Sequence, residues 1–570
     1  MVIMKPNRWY AYAAEYAFEA GTWKISSQLV DDGEKVLIPG VVFGKGYWPC
    51  MKIIASLFRT TAISKLVFLL PLVLLGVAGC ASVPLDSPKE TTTAITDTAQ
   101  TSQAINVAKW LDNKTDTNGF YPLIDGFDAF GARLLLMDNA EVSVDAQYFL
   151  MKPDNAGLVF ASEMLKAAER GVRVRFLLDD VFTSVPDEEL AMINDHPNIE
   201  VRIFNPIARK GIYAFNYLGH FSLANRRMHN KSFIADNQIA VVGGRNVAAE
   251  YYQLETTGEF KDFDMLSVGP IVREISTEFD TYWNHQLAVP LEALFTQDDE
   301  EKAAEVRERF RQSMDEAGTS IYGEAISTPV IKQLSAGTLT PYIADARLIT
   351  DDPQKLLEDV SEEYQVVVNE MREVLRTAQS EIFISTPYFI PRKRGVALIE
   401  ELRAKGIRIV LFTNSLATNN HTSVHSSYAS YRKDILNAGV ELWEARADAA
   451  KITTEDGETQ LEKLTLHTKG IIVDRKRIFV GSLNLDPRSI DINTEMGLLI
   501  DSPDLGEFLS DNISRQLPNL AYRVKLDEDG DLTWHGIIDG EEVIETTEPQ
   551  TSGWQRFKAW FLKIAPEKQL

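Results

Sequence analysis

Short β-branched runs alternate with amphipathic segments along most of the chain. VSVDAQYF and VRVRFLL in the first half, and EIFIST and IRIVLFT in the second, are typical of strands. Between them, residues 158–171 (LVFASEMLKAAERG) and 395–406 (GVALIEELRAKG) have helical spacing, and each ends at a glycine after basic residues. Strands that alternate with helices predict an α/β fold in which helices cover a sheet.

The same pattern occurs twice, which indicates an internal duplication. Arg226–Asn246 reads RRMHNKSFIADNQIAVVGGRN, and Leu464–Asn484 reads LTLHTKGIIVDRKRIFVGSLN, with identical residues at a constant separation. We therefore predict that the α/β unit is built twice. The charged segment 297–314 is predicted to be a surface helix that links the halves.

The similarity continues upstream with small shifts. AEVSVDAQYFL (140–150) parallels QSEIFISTPYFI (379–390), which equates the Tyr-Phe pair at 148–149 with the pair at 388–389. GVRVRFLLDD likewise parallels GIRIVLFTNS. The duplicated unit thus extends well ahead of the central motif.

Each copy contains a His-x-Lys motif on a strand-like segment, His229-x-Lys231 and His467-x-Lys469. Residues i and i+2 of a strand point to the same face, so each motif presents an imidazole and an ammonium group together. Two copies at equal spacing are very unlikely to arise by chance in a chain with 8 histidines. A duplicated fold with purely structural histidines is the alternative.

The residues after each motif add further groups. Asp236 and Asp474 suit turns, and we expect them to be structural more than chemical. Glycines then precede Asn246 and Asn484, where close backbone N–H groups and the amide side chains can donate to an anion. Two such half-sites facing each other would hold one phosphate.

This combination of groups fits phosphodiester chemistry by covalent catalysis. One histidine attacks phosphorus and forms a phosphohistidine, while the other protonates the leaving oxygen and later deprotonates the incoming hydroxyl. The lysines and asparagines stabilise charge on the non-bridging oxygens. The chemistry needs no metal, and we predict no cofactor.

A catalytic histidine needs a group that orients its ring. Glu495 begins a strand-like run after His467, and Asp262 and Asp264 follow His229. We predict that Glu495 orients His467 and that Asp262, rather than Asp264, orients His229.

The paired HxKx4D motifs with their Gly-x-x-Asn followers resemble those of the phospholipase D superfamily. The similarity covers about 110–550 and points to the bacterial C-type cardiolipin synthase branch, through LIDGFDAFGARLLL, NRRMHNKSFIAD, VGGRN and GSLNLDPRS with NTEMG. It implies two α-β-α sandwich repeats, 106–330 and 331–520, with the active site at their interface. Gly244 departs from the family, in which serine is common, as at Ser482.

The resemblance also implies residue roles and a reaction. His229 would be the nucleophile and His467 the acid, and the family's DxD-apolar-Gly-Pro segment supports Asp262 as a histidine partner. The implied reaction makes cardiolipin from phosphatidylglycerol and a second phospholipid, with phosphatidylethanolamine as a further candidate substrate. Hydrolysis to phosphatidic acid is the first alternative. A nuclease is a distant one, and a catalytically inactive lipid-binding lipoprotein is another.

Composition weighs against nucleic acid as a partner. Lys and Arg number 58 against 82 Asp and Glu, a net charge of −24, whereas phosphate backbones bind basic surfaces. The 2 cysteines cannot form a disulfide framework. The sequence carries no prediction of oligomeric state.

The front of the chain differs from the rest. Residues 1–50 have no clear periodic element, and Met51 begins a secretory layout with a basic segment followed by the apolar run Leu66–Ala78. We predict that 1–50 is a misassigned extension.

Residues 51–80 end in VAGC, which resembles a bacterial lipoprotein processing site with lipidation at Cys80. The alternative is an uncleaved anchor over Leu66–Leu85. Residues 81–105 are predicted to be a flexible tether, and the protein is predicted to be anchored in the bacterial cell envelope, facing the periplasm.

The C-terminal tail, 521–570, ends in a basic, aromatic segment, SGWQRFKAWFLKIAP. Its apolar residues fall at helical spacing and suit either a lipid interface or docking on the protein. Residues 207–223 are either a lipid-entry loop or buried. His425 and Tyr431 are weaker candidates for the pocket wall.

Overall fold

The computed structural model describes residues 83–209, 216–217, 221–254, 259–296, 300–317, 321–453, 459–538 and 540–564, together with three strands near the start of the chain. The chain divides into two units, Met1–Cys80 and Ala81–Leu570. The predicted leader 51–80, with the lipidation site Cys80, lies outside the described residues.

The first unit contains an antiparallel sheet of β1 (Tyr12–Glu19), β2 (Thr22–Asp31) and β3 (Glu34–Leu37). The sequence pattern had predicted no regular element here. The register ends on Glu19 opposite Thr22 and on Asp31 opposite Glu34, so two residues separate each pair of strands. Hairpin partners supply the hydrogen bonds that such irregularly alternating strands need.

The second unit contains all the remaining strands. In chain order they are β4 Asn118–Leu123, β5 Ser143–Tyr148, β6 Arg173–Asp179, β7 Ile199–Phe204, β8 Ser232–Ala235, β9 Ile239–Gly243, β10 Glu259–Lys261, β11 Asp264–Val268, β12 Ala288–Pro290, β13 Tyr342–Thr350, β14 Glu381–Ser385, β15 Arg408–Thr413, β16 Glu441–Ala445, β17 Ala450–Thr453, β18 Thr459–Glu462, β19 Leu464–Leu466, β20 Gly470–Val473, β21 Arg477–Gly481, β22 Met496–Asp501, β23 Ala521–Leu526, β24 Leu532–Ile538 and β25 Glu541–Glu545.

The helices lie in the same unit. They are α1 Ser102–Trp110, α2 Gly126–Asp138, α3 Asn155–Glu169, α4 Asp187–Asn194, α5 Phe221–Ala224, α6 Ile271–Trp283, α7 Leu291–Leu294, α8 Glu300–Ala317, α9 Gly323–Ala325, α10 Pro329–Ser335, α11 Val366–Arg376, α12 Arg392–Ala404, α13 Thr422–Asn437, α14 Pro487–Asp491, α15 Pro503–Leu520 and α16 Gly553–Phe561. Short 3₁₀ turns occupy Ala249–Tyr251, Pro353–Leu356, Glu362–Tyr364 and Leu562–Ile564. None of the helices in the described part of the chain has both the length and the hydropathy that a membrane-spanning helix needs.

The sheet is built twice in the same strand order. The first half runs β4-β11-β9-β8-β5-β6-β7-β12, and the second runs β13-β22-β21-β20-β14-β15-β16-β23 before β24 and β25 extend it. Within this sheet, β5-β6-β7 and β14-β15-β16 pair in parallel, and their crossovers are helical. The predicted α/β fold with two repeats is therefore confirmed.

Strand β13 joins the two sheets. Its first residues pair with β4, with Tyr342 opposite Phe120, and its later residues pair with β22. A core cluster is shared across this junction and includes Phe120, Met228, Ile472, Met496 and Leu498. Each half also has an apolar core of its own. The halves therefore pack together through buried apolar surface, which fixes their relative position at the site.

Isolated bridges mark equivalent positions in the two halves: Met151 pairs with Val247, and Phe389 pairs with Leu485. The Tyr-Phe pairs equated from the sequence are therefore not equivalent. Tyr148 ends β5, whereas Tyr388 lies beyond the end of β14. Both pairs lie at or just beyond the end of a strand, and this local similarity produced a shifted alignment.

The segment predicted to be a flexible tether lies along the first half. The Lys89 ammonium donates to the carbonyl of Ala288 at 2.7 Å, and the N–H of Ala94 donates to Asp280 at 2.8 Å. Arg175 and Arg202 donate to carbonyls of the same segment. Its polar backbone is thus satisfied by buried side chains, which the Ser/Thr-rich composition did not indicate. The charged helix predicted over 297–314 is α8, whose apolar side packs on α3 and α4.

Candidate active site

The two His-x-Lys motifs lie immediately before β8 and β20, in extended segments that contact the opposite half. The N–H of His229 donates to the carbonyl of Thr494 at 3.1 Å, and the N–H of Thr494 returns a bond to Arg227. The N–H groups of His467 and Thr468 both donate to the carbonyl of Lys261, at 2.8 and 2.9 Å. Each histidine is therefore positioned by backbone from the other repeat.

The carboxylate partners are also exchanged between the repeats. Nδ1 of His229 lies 2.9 Å from Oε2 of Glu495, and Nδ1 of His467 lies 2.6 Å from Oδ2 of Asp262. The predicted pairing of Glu495 with His467 and of Asp262 with His229 was wrong, although both carboxylates are at the site. Glu495 immediately precedes β22, and Asp262 lies just before β11. Both side chains extend across the junction of the halves to the histidine of the opposite repeat.

The exchanged contacts leave Nε2 of each imidazole as the nitrogen for chemistry. A carboxylate beside Nδ1 accepts a hydrogen bond from the N–H there and fixes the tautomer in which Nε2 carries the lone pair. Both rings are held from the side as well. Phe149 packs edge-on to His229 with centroids 4.8 Å apart, and Phe260 stacks on His467 at 5.2 Å.

Gly244 and Ser482 occupy equivalent positions, and the structure explains why they differ. A Cβ at Gly244 would lie 2.2 Å from Oδ1 of Asp262, so no side chain fits beside this carboxylate. In the second half, the longer Glu495 reaches past Ser482 and accepts hydrogen bonds from the hydroxyls of Ser482 and Ser489. These two serines were not predicted from the sequence. Their contacts with a catalytic carboxylate form only in the folded chain.

Both lysines are buried beside their histidines. Nζ of Lys231 donates to the carbonyl of His229 at 2.5 Å, and its ammonium lies 5.1 Å from the ring centre of Phe149. Nζ of Lys469 lies 3.2 Å from Nε2 of His467. Burial lowers the pKa of Lys231 to about 7 and that of Lys469 to about 8.

Burial also governs the imidazoles. It lowers the pKa of His467 to about 3, helped by the charge of Lys469 and opposed by Asp262. The pKa of His229 lies well below its ordinary value through burial and the charges of Lys231 and Lys469. Because a lysine of each motif acts on the histidine of the other, the two motifs share one electrostatic site. Both imidazoles are neutral at physiological pH, as a nucleophile requires.

The carboxylates respond differently to the same surroundings. Burial raises the pKa of Glu495 to about 7, against the opposing charge of Lys231. Burial also acts to raise the pKa of Asp262, but the charges of Lys469 and His467 outweigh it and hold this pKa below its ordinary value. Asp262 is therefore ionised at neutral pH, while Glu495 is close to half-protonated.

The remaining predicted residues fall into two groups. Oδ1 of Asn246 and of Asn484 is buried without a hydrogen-bond partner in the described part of the chain, so each can still accept a bond, whereas Nδ2 of Asn246 already donates to the hydroxyl of Tyr251 at 2.9 Å. Asp236 accepts backbone N–H bonds from the residues that begin β5, and Asp474 does the same for β14. The aspartates therefore anchor strands, in agreement with the expectation that they are structural.

The two weaker candidates, His425 and Tyr431, both lie on α13, and Tyr431 packs against the apolar core of the second half. His425 is buried in a cluster where its Nε2 lies 3.3 Å from Glu548 and 3.1 Å from Arg432, which places it in the packing of the tail rather than in a pocket wall. The middle of the segment 207–223 lies outside the described residues, so the lipid-entry prediction there is not tested.

Comparison with known proteins places this geometry in a family. A family model described as cardiolipin synthase, PLD-like domain, matches residues 134–283 and 371–517. The chain belongs to this family. It is 35% identical over 454 residues to cardiolipin synthase C of Escherichia coli (strain K12), which covers 79% of this chain and 96% of that protein. The predicted phospholipase D-like enzyme with two repeats is thereby confirmed.

Two further similarities extend the comparison. An uncharacterized protein of Helicobacter pylori (strain ATCC 700392 / 26695) is 29% identical over 502 residues, covering 86% of this chain and 97% of that protein. Among solved structures, phosphatidylserine synthase of Haemophilus influenzae Rd KW20 shares 14% identity with a TM-score of 0.48, over 74% of this chain and 92% of that one. The two matched family segments contain both His-x-Lys motifs and both carboxylates.

Proposed function

We propose that the protein is a phosphatidyltransferase that forms cardiolipin from phosphatidylglycerol and a second phospholipid through a phosphohistidine on His229. The observation that carries this proposal is the pair of buried imidazoles, each held at Nδ1 by a carboxylate of the opposite repeat and each beside a buried lysine. Its relative cardiolipin synthase C of Escherichia coli, with 96% of its length covered, supports the choice of lipid.

The first step transfers the phosphatidyl group to the protein. The Nε2 lone pair of His229 attacks phosphorus, the bond from phosphorus to the headgroup oxygen breaks, and His467 gives that oxygen a proton. Lys231 and Lys469 stabilise the negative charge on the non-bridging oxygens. A bound phosphodiester anion raises the pKa of His467, which allows this imidazole to carry the proton when substrate is present.

The second step releases the product. A hydroxyl of the acceptor lipid attacks phosphorus, the bond between phosphorus and Nε2 of His229 breaks, and the hydroxyl proton passes to His467. Ionised Glu495 stabilises the positive charge that the ring of His229 carries as a phosphohistidine. If water replaces the acceptor, the product is phosphatidic acid, so exclusion of water decides between transfer and hydrolysis.

We also propose that the C-terminal helix contacts the membrane. α16 packs on α13, yet its aromatic side chains face outward, with Trp554 70% and Trp560 65% exposed. Phe557 stacks on Trp554 and packs at a tilt against Trp560, and Lys558 and Arg556 lie on the same short helix. An exposed aromatic face with basic neighbours favours a lipid interface over docking on the protein.

The test of the reaction uses vesicles of phosphatidylglycerol, with and without phosphatidylethanolamine, and mass spectrometry of the lipids. We expect cardiolipin with the unaltered protein and none with His229→Ala or His467→Ala, while His196→Ala, at a half-buried histidine just after α4, retains activity. Phosphatidic acid as the sole product would make the protein a hydrolase. Cleavage of nucleic acid without any lipid product would overturn the proposal.

The covalent step has its own test. A phosphodiester with an activated aromatic leaving group needs no acid for its departure, so His467→Ala should accumulate phosphorylated protein from such a substrate. Intact-mass measurement would detect an acid-labile adduct, and peptide mapping should place it on His229. An adduct on another residue would contradict the assignment of the nucleophile.

A further inference from the structure

The two halves of the site differ in charge close to Asn246 and Asn484, and one of these differences is a reversal of sign. Arg488 follows Asn484 in α14, and the equivalent position in the first half is Glu250, in the 3₁₀ turn after Asn246. Glu250 is paired with Lys152, whose Nζ lies 2.5 Å from its carboxylate. The pseudo-symmetry of the site is therefore broken by a reversal of charge.

Arg488 lies within the site rather than at its edge. The next residue, Ser489, donates to the Glu495 carboxylate at 2.6 Å, and Glu495 holds His229. The guanidinium binds Asn225, in the segment that leads to His229, and its positive charge lowers the pKa of both His229 and His421.

The guanidinium has no carboxylate within ion-pairing distance among the described residues. Its two terminal nitrogens donate to the side-chain oxygen and the carbonyl of Asn225, both at 2.7 Å. Asp486 is the acid that acts on it most strongly, but burial raises the pKa of Asp486 to about 7 and its carboxyl accepts the N–H of Ser489. By contrast, the neighbouring Arg227 is paired with Asp179 at 3.1 Å.

A half-buried cation held in place by neutral partners is suited to an anion that arrives with a ligand. Burial outweighs the opposing acids and leaves the pKa of Arg488 below its ordinary value, which indicates that its charge is incompletely balanced by the protein. The reacting phosphate already has Lys231 and Lys469. Arg245 of the first half is paired with Asp264, whereas Arg488 has no ion pair among the described residues, which favours an anion from a ligand on its side of the site.

We infer that Arg488 forms a subsite for the phosphate of the acceptor, so that the enzyme favours phosphorylated alcohols over neutral ones. This inference rests on the proposed transferase function and names its acceptor class. In the product, a single glycerol links the transferred phosphate to the phosphate of the acceptor. An acceptor phosphate bound close to His229 therefore directs the free hydroxyl of the acceptor to the phosphohistidine. The phosphate can belong to a lipid or to a soluble glycerol phosphate.

The test compares acceptors that differ in one phosphate. The phosphatidyl donor is phosphatidylglycerol in vesicles, and the acceptors are deuterated glycerol, glycerol 3-phosphate and phosphatidylglycerol itself, each followed by mass spectrometry. For Arg488→Gln we expect kcat/KM to fall by roughly ten- to hundredfold with the phosphate-bearing acceptors, mainly through KM, and by much less with glycerol. Arg488→Lys, which keeps the charge, should restore part of the loss.

The three acceptors distinguish a lipid from a soluble source of the phosphate. They also distinguish failure of the inference from failure of the proposed function. Selective loss with glycerol 3-phosphate alone would assign a soluble acceptor, and selective loss with phosphatidylglycerol alone would assign a lipid acceptor. Equal losses with all three acceptors, or no change, would overturn the inference. Absence of transfer by the unaltered protein would refute the proposed function itself, and the inference with it.

Two controls complete the test. Arg408→Gln removes a surface arginine that is paired with Glu441 and Glu381, and it should leave all three reactions unchanged. Thermal unfolding of Arg488→Gln detects any general loss of structure. A ratio of acceptor specificities is insensitive to the fraction of folded protein, so it reports on the subsite even if stability falls.

Discussion

Replacement of Glu495 by glutamine tests the exchange of carboxylates between the repeats. Glu495 accepts bonds from His229 and from two serine hydroxyls, and glutamine has nearly the same shape without the charge. Loss of the carboxylate that orients a catalytic histidine costs about 10³- to 10⁴-fold in other enzymes that use this arrangement, or about 4–5.5 kcal/mol of barrier. We expect a loss of this size in the formation of the phosphohistidine.

The matched variant is Asp262→Asn, and the assay is designed to separate the two partners. With an activated leaving group, the first step needs His229 but not the acid His467. Single-turnover formation of the phosphohistidine should therefore be slow in Glu495→Gln and close to normal in Asp262→Asn. With a lipid substrate, both variants should be slow.

Stability measurements show whether a loss of activity in Glu495→Gln comes from unfolding. Burial raises the pKa of Glu495 from its ordinary value to about 7, so the stability associated with its neutral form is lost as the pH rises through 7. Glutamine does not ionise, and Glu495→Gln should be no less stable than the unaltered protein at pH 8. A slow first step with the activated substrate in Asp262→Asn, and not in Glu495→Gln, would refute the pairing of Glu495 with His229.

Three further predictions follow from particular contacts. Gly244→Ser should abolish turnover and destabilise the fold by about 2 kcal/mol or more, because its Cβ would lie 2.2 Å from Oδ1 of Asp262; retained activity and an unchanged melting temperature would contradict this. Trp554→Ala combined with Trp560→Ala should weaken sedimentation with anionic vesicles while sparing turnover of a soluble diester; equal binding would point to a structural tail. Glu278→Gln should raise stability above pH 8 by about 3–5 kcal/mol and change it little near pH 4, because burial raises the pKa of this carboxyl to about 8 and its ionisation destabilises the fold as the pH rises; chemical denaturation at both pH values measures it.

Much of the fold was accessible from local pattern. In β6 and α3, for example, the hydrophobic residues have the spacing expected of a strand and of a helix. The duplicated motif also revealed the second repeat. The shifted alignment of the Tyr-Phe pairs shows the limit of local similarity, since the β-bridges at Met151 and Phe389 set the true equivalence. The segment before α1 was misjudged because its hydrogen-bond partners, such as Asp280, lie far along the chain.

The order of residues alone was enough to predict the α/β class, the duplication and both His-x-Lys motifs. It also pointed to Glu495 and to Asp262 or Asp264 as histidine partners, and the family resemblance supported Asp262. These features depend on side-chain period and on residue type at fixed spacing, which are local properties. The packing of the folded chain was needed to show which carboxylate serves which histidine, why Gly244 has no side chain, and that Arg488 binds Asn225. Those facts depend on how two repeats pack face to face, and contacts across an interface between distant segments leave no local trace in the pattern of hydrophobic and polar residues.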